Sequence, residues 1–175
     1  MKAKAVSAEV LYPDEPIVKV ARADVEWMKQ EADRNPRRRI RLCAHRDAND
    51  PLHEMLIIHT RETYVRPHKH VKKSESFHVM EGSVNIVLFD DEGSVNEVIR
   101  MGDYASGRQF YYRLAEARYH TLVIRSEYLV FHETTNGPFN RADTVFAPWA
   151  PEESDLTACK ELMQRVARAS ERFGR

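Results

Sequence analysis

The chain has 175 residues, 42% of them hydrophobic and 31% charged, with Lys+Arg and Asp+Glu both numbering 27. That length supports one domain with a real core. Zero net charge without a dense basic patch argues against a nucleic-acid partner, and no apolar run approaches the roughly 18 residues of a membrane span.

The opening M-K-A-K-A-V-S-A-E-V has no apolar stretch before Glu9, so no cleaved leader is expected. Cys43 and Cys159 lie far apart and neither has ligand-like spacing to a histidine. This usage fits a reducing, cytoplasmic location better than a structural disulfide.

Residues 1–20 read as a loose leader with one short strand near Ile17-Val18. Asp24 can cap a helix from Val25 to Arg34, with Val25, Met28 and Ala32 on its apolar face and Asn35-Pro36 as the stop. Strand alternation follows. Ile40, Leu42 and Ala44 fall on one side, and Arg39, Arg41, Cys43 and His45 on the other. His53 to Thr60 is a second strand with an apolar centre.

From Tyr64 the pattern becomes short strands between turns: 64–70, 75–80, 83–89, 94–100, 119–125 and 128–135. D-D-E-G joins two of them as a hairpin. Residues 104–118 read as irregular, and 139–153 as an arm laid against the strands. Ser154 or Asp155 caps a last helix from Leu156 to Phe173, with Leu162, Val166 and Phe173 on its apolar side. Short, evenly spaced strands predict an all-β, antiparallel barrel or sandwich. The expected organisation is a leader and helix over 1–36, a β-barrel over 37–136 and an arm with a helix over 137–175.

The chemistry centres on R-P-H-K-H-V-K-K-S-E-S-F-H-V-M-E-G, residues 66–82. His68 and His70 are two apart, so an extended strand projects both imidazoles from one face. Glu75 shares strand parity with Phe77 and Val79, which turns its carboxylate inward, whereas His78 falls outside. His120 shares parity with Leu122 and Ile124 and also points inward. Three imidazoles and a carboxylate aimed into a core are costly unless something pairs with them. A divalent metal ion pairs with all four, so His68, His70, Glu75 and His120 are the candidate ligands. Imidazole with carboxylate suits Fe, Mn, Zn, Ni or Co alike. The remaining histidines, His45, His53, His59, His78 and His132, read as surface or structural residues.

The spacing H-x-H-x4-E-x6-G resembles the first metal motif of the cupin superfamily. That resemblance implies a cupin-type barrel (a double-stranded β-helix or jelly roll) with His68, His70 and Glu75 as ligands and His120 completing the set. Two positions depart from the pattern. Glu62 stands where a glycine usually opens the first motif, and A-E-A-R-Y precedes His120 in place of P-x-G. N-P-R-R-R-I-R-L, Y-V-R-P-H-K-H, V-N-I-V-L-F-D-D-E-G and V-F-A-P-W-A-P-E-E together resemble the WbuC family of cupin fold metalloproteins, associated with surface-polysaccharide gene clusters. The likeness implies a carbohydrate context by association and a homodimer through a barrel edge. Fold alone does not imply function.

Around the ligands, Arg66 lies two residues before His68 and is a candidate for an anionic substrate, with Tyr64 on the same face. Glu133 shares a face with Phe131 and is a candidate acid–base residue. Arg37, Arg38 and Arg39 match the arginine-rich strand of the WbuC family, and Arg38 is taken as a further substrate-binding candidate. The leading expectation is a metal-dependent protein that acts on or binds a small polar molecule such as a sugar or sugar nucleotide, by isomerase- or epimerase-like chemistry. The alternatives are an Fe(II)-type dioxygenase and a non-catalytic ligand-sensing cupin.

Overall fold

A computed structural model describes residues 1–173 of the protein. Among them run β1 (Ala3–Ala5), β2 (Val10–Pro13), α1 (Arg22–Arg34), β3 (Arg39–Cys43), β4 (Leu52–Thr60), β5 (His68–His70), β6 (Glu75–Glu81), β7 (Ser83–Phe89), β8 (Val95–Gly102), β9 (Tyr111–Leu114), β10 (Tyr119–Ile124), β11 (Tyr128–Asn136), β12 (Thr144–Phe146) and α2 (Leu156–Arg172). The larger sheet has the order β1-β2-β3-β4-β11-β6-β9 and the smaller β12-β5-β10-β7-β8. All pairs are antiparallel except β2 with β3.

The two sheets face each other. Alternation along each strand sends one set of side chains into the space between them. Met55, Ile57, Phe77, Val79, Leu129 and Phe131 of the larger sheet meet Val84, Ile86, Leu88, Met101, Leu122 and Ile124 of the smaller. The outer faces are covered as well. Met28 and Ala32 of α1 pack on Ile40, Leu42, Leu56, Ile58 and Val130 of the larger sheet. Leu162 and Val166 of α2, with Ala147 and Ala150 of the arm, pack on Val87, Phe89, Tyr119 and Val123 of the smaller. The result is four layers: helix, sheet, sheet, helix.

Several expectations are corrected. The closed barrel is not formed, because no hydrogen-bonded ladder joins the two sheets, each of which keeps two edges. The leader holds two strands, at Ala3–Ala5 and Val10–Pro13, and none at Ile17-Val18; β2 finds its partners in β1 and the parallel β3. Helix α1 starts at Arg22, three residues early. Asp24 sits inside its first turn and accepts from the Ala21 N–H at 2.8 Å. The stretch 104–118 contains a 3-10 turn at Tyr104–Ser106 and strand β9, and the arm contains β12. Both strands gain order from a partner that local pattern does not reveal: β6 for β9 and β5 for β12.

Gly82, which ends the metal motif, turns the chain from β6 into β7 with φ +91, and a Cβ there would meet the Tyr128 carbonyl and the Ser126 hydroxyl. At the far end, Asp155 caps α2 by accepting from the Ala158 N–H at 3.0 Å.

Phe131 is 1% exposed and stacks on Phe77 at 3.9 Å between ring centroids. Its truncation leaves a cavity at the centre of the sandwich. Phe131→Ala is therefore expected to destabilise by about 3–5 kcal/mol, against less than about 0.5 kcal/mol for exposed Phe139→Ala. Urea unfolding midpoints of the two variants check this.

Candidate metal centre

The short connection from β5 to β6 crosses between the sheets and brings Glu75, the first residue of β6, against the histidines of the smaller sheet. Strand pairing places His68 directly opposite His120 and His70 opposite Thr144. Candidate ligand atoms of His68, His70 and His120 lie within 4.8 Å of one another. Glu75 Oε1 is 3.0 Å from His120 Nε2 and Oε2 is 3.3 Å from His70 Nε2. The structure thus gathers all four residues, with Glu75 and His120 only 5% and 2% exposed.

The other imidazole nitrogen of each ring is held from behind. His68 Nδ1 donates to the Arg66 carbonyl at 2.8 Å, and His120 Nδ1 to the Arg118 carbonyl at 3.0 Å. A carbonyl only accepts, so Nδ1 carries a proton in both rings and Nε2 is the nitrogen turned inward. His70 Nδ1 lies 3.2 Å from Thr144 Oγ1, a hydroxyl that can donate or accept. Backing of the ligand imidazoles in this way fixes ring orientation in metal sites. The three imidazoles are placed to hold a metal ion, and the Glu75 carboxylate beside them could serve as a further donor.

The electrostatics agree. Burial pushes the Glu75 carboxyl up, but the charges and hydrogen bonds of His120 and His70 win and hold it well below the usual range. Burial opposes protonation of His120, yet the Glu75 carboxylate outweighs it and raises the imidazole. His68 is driven down to about 3 by burial and then by the charge of His120. Cation on one nitrogen and anion opposite it is an arrangement that a metal ion satisfies in place of the proton.

Glu133 follows Phe131 on the inner face of β11, in register with Phe77 and Met55. Burial and then the Glu75 charge raise its carboxyl to about 8, while Arg41 and His120 pull the other way. At neutral pH it is largely protonated.

The other named residues lie elsewhere. Strand β5 begins at His68, after Pro67, so the parity extrapolated from His68 back to Tyr64 and Arg66 does not hold. Tyr64 packs on the outer face of the smaller sheet, where its hydroxyl donates to the Pro151 carbonyl at 2.9 Å. Arg66 donates to the Ala150 carbonyl at 3.1 Å, with its guanidinium 4.7 Å from the Phe146 ring centroid. Both pin the arm. Arg38 has φ 57, binds the Asp33 carbonyl and pairs with Glu62 at 3.3 Å, on the outside. An open groove between the arm and α2, lined by Pro148, Trp149, Leu162 and Arg165, also lies outside, behind the smaller sheet.

Two contributors escape sequence reasoning. Tyr112 of β9 donates to Glu75 Oε1 at 3.0 Å. The sequence Y-Y-R-L gives no clear alternation there; only the structure shows Tyr112 and Leu114 half-buried between exposed Tyr111 and Arg113. Thr144, behind His70, carried no signal either.

A family model described as a domain of unknown function (DUF6016) matches residues 20–101. No curated protein matches the chain in sequence. Among solved structures, it is similar to protein SO0799 of Shewanella oneidensis, with 12% identity, 72% of this chain and 78% of that chain covered, and a TM-score of 0.50. It is similar over less to the capsular polysaccharide assembling protein CapF of Staphylococcus aureus, with 19% identity, 56% and 27% covered, and a TM-score of 0.45. A third, a sugar phosphate isomerase from a cupin superfamily in Silicibacter pomeroyi, has 16% identity, 50% and 52% covered, and a TM-score of 0.39. At these identities the likeness to SO0799 speaks to fold alone.

The Glu133 carboxyl gives a pH prediction. Its folded value of about 8 exceeds its ordinary value of 4.5. The folded protein keeps a proton that the unfolded chain releases across that window, so stability falls as pH rises through it. Metal-free Glu133→Gln is expected to lose less stability than the parent between about pH 5 and 8, as read from denaturant midpoints at each pH.

Proposed function

We propose that the protein is a cupin-type metalloenzyme in which His68, His70, His120 and Glu75 hold one divalent transition metal ion. The observation that carries this reading is the orientation of the three imidazoles. Each presents Nε2 inward because Nδ1 is engaged behind it, by Arg66, Arg118 or Thr144. Structural burial alone does not require three rings to be aimed at one point beside a buried carboxylate.

The ion, when bound, supplies a Lewis acid that polarises a carbonyl or hydroxyl of the ligand. The chain's own residues supply the rest. Tyr112 holds Glu75 in place through its hydroxyl. The packed inner faces of the sheets keep water from the centre and strengthen every charge interaction there. Glu133, protonated near neutral pH, gives a proton to a ligand oxygen and, as carboxylate at higher pH, takes one from a ligand carbon or hydroxyl. Proton transfer of this kind suits an isomerase- or epimerase-like reaction on a small polar molecule. A sugar or sugar nucleotide is the proposed substrate class on the WbuC-like motifs, and a homodimer in the cytoplasm the proposed setting. An Fe(II)-type dioxygenase uses the same four ligands and is the second reading, favoured by the His3Glu donor set itself.

Elemental analysis tests the central claim. Protein purified without added metal, or supplied with it afterwards, is expected to hold close to one equivalent of a transition metal. His70→Ala is expected to hold at least about tenfold less, with far-UV circular dichroism unchanged. Less than roughly a tenth of an equivalent in the parent after metal addition overturns the reading.

A further inference from the structure

Strand pairing carries the histidine row one residue beyond the candidate ligands. His120 of β10 stands opposite His68 of β5, and His68 stands opposite Phe146 of β12. Residues directly opposite in an antiparallel pair share a face of the sheet. Phe146 therefore projects from the same face as the two imidazoles. The rings follow the register: the His68 and His120 centroids are 4.5 Å apart, and those of His68 and Phe146 are 6.3 Å apart at an interplanar angle of 64°. Strand β12 is an edge of the smaller sheet, so Phe146 ends the row.

Exposure rises along this row. His120 is 2% exposed, His68 is half-buried and Phe146 is 45% exposed. His70, in the neighbouring row, is half-buried too, whereas Glu75 is closed off. Solvent thus reaches the cluster from the β5–β12 side, and Phe146 stands on that side. The ring is also held in place. The Arg66 guanidinium lies over it at 4.7 Å and is itself tied to the Ala150 carbonyl at 3.1 Å. The next residue, Ala147, donates its N–H to the Pro67 carbonyl at 2.9 Å. An exposed phenylalanine alone is ordinary on a protein surface. This one is in register with a candidate ligand imidazole, anchored by a guanidinium and open at the accessible edge of a polar cluster. Apolar surface beside a few convergent polar groups is how small-molecule sites fix a ligand.

We propose that Phe146 is the stacking platform of the metal centre, taking the apolar face of a ring-bearing ligand whose polar atoms face the histidine cluster. A flat aromatic ring and the C–H face of a saturated ring such as a pyranose offer it the same chemistry, a polarisable surface without hydrogen-bonding groups. An open-chain ligand has no such face and gains nothing from it. The assignment rests on reading the cluster as a metal centre and narrows that reading to ring-bearing ligands. Arg66 then serves as a positioning residue behind the platform.

The test loads the protein with Co(II) and titrates it with acetohydroxamate, benzohydroxamate and cyclohexanecarbohydroxamate, by calorimetry and by the visible spectrum of the ion. The three probes share one metal-binding group and differ in having no ring, a flat ring or a saturated ring. At least one ring-bearing probe is expected to bind the parent at least about tenfold more tightly than acetohydroxamate. The preference between the two rings distinguishes an aromatic ligand from a sugar-like one. In Phe146→Ala that advantage is expected to fall to within about twofold while acetohydroxamate affinity is kept. Phe146→Tyr and the exposed control Phe139→Ala are expected to retain it. Metal content and circular dichroism establish that each variant is folded and loaded. A loaded parent that gives neither ring an advantage, or a Phe146→Ala variant that keeps the advantage, overturns the proposal and leaves the metal reading intact. A parent that takes up no Co(II) removes the metal reading and the proposal together.

Discussion

A carboxylate placed at 5% exposure in the apolar interior costs several kcal/mol unless cations or donors meet it. Glu75 is in that position, and the architecture around it answers that cost. His120 and His70 stand at 3.0 and 3.3 Å, and the Tyr112 hydroxyl donates at 3.0 Å. Each partner comes from a different strand: β10, β5 and β9. The ion-pairing of one side chain therefore ties the edge of the larger sheet to the middle of the smaller. Those two sheets share no backbone hydrogen-bond ladder among the described residues, so this contact adds to the chain connections, such as Gly82 between β6 and β7, that link them.

That arrangement separates two jobs. The outer layers, α1 on one side and α2 with the arm on the other, cover part of the outer face of each sheet. Tyr64 and Arg66, close in sequence to His68 and His70, belong to this outer structure through their bonds to the Pro151 and Ala150 carbonyls of the arm. On the inner face, Glu75 meets the His120 and His70 imidazoles and the Tyr112 hydroxyl, and Glu133, paired with Phe77, lies one row along the same face. Their differing environments push two carboxyls in opposite directions, Glu75 down and Glu133 up.

The alternation in β3 shows where reading from sequence is sound and where it needs a partner. The split of Ile40 and Leu42 from Arg39, Arg41 and Cys43 is correct as periodicity. Ordinary reasoning then assigns the apolar side to the interior and the arginines to solvent. In this fold the apolar side lies under α1 and the arginine side faces the space between the sheets. A helix on the outer face makes both faces of the strand interior, and strand parity carries no information about which interior is which. Strands β9 and β12 were missed for a related reason, being short edge strands held by cross-strand pairing and not by their own propensity.

By itself the sequence determined the all-β class, most strand boundaries, the inward parity of Glu75 and His120, and the outward parity of His78. These follow from a period of two residues along an unbroken strand, a purely local rule. Only the tertiary structure decided that two open sheets replace a barrel, that Tyr64, Arg66 and Arg38 belong to the scaffold, and that Tyr112 and Thr144 stand behind the ligands. Those outcomes depend on which strands pair and what covers each sheet. Such contacts join residues far apart in the chain, 87 positions for Tyr64 and Pro151, and no local pattern records them.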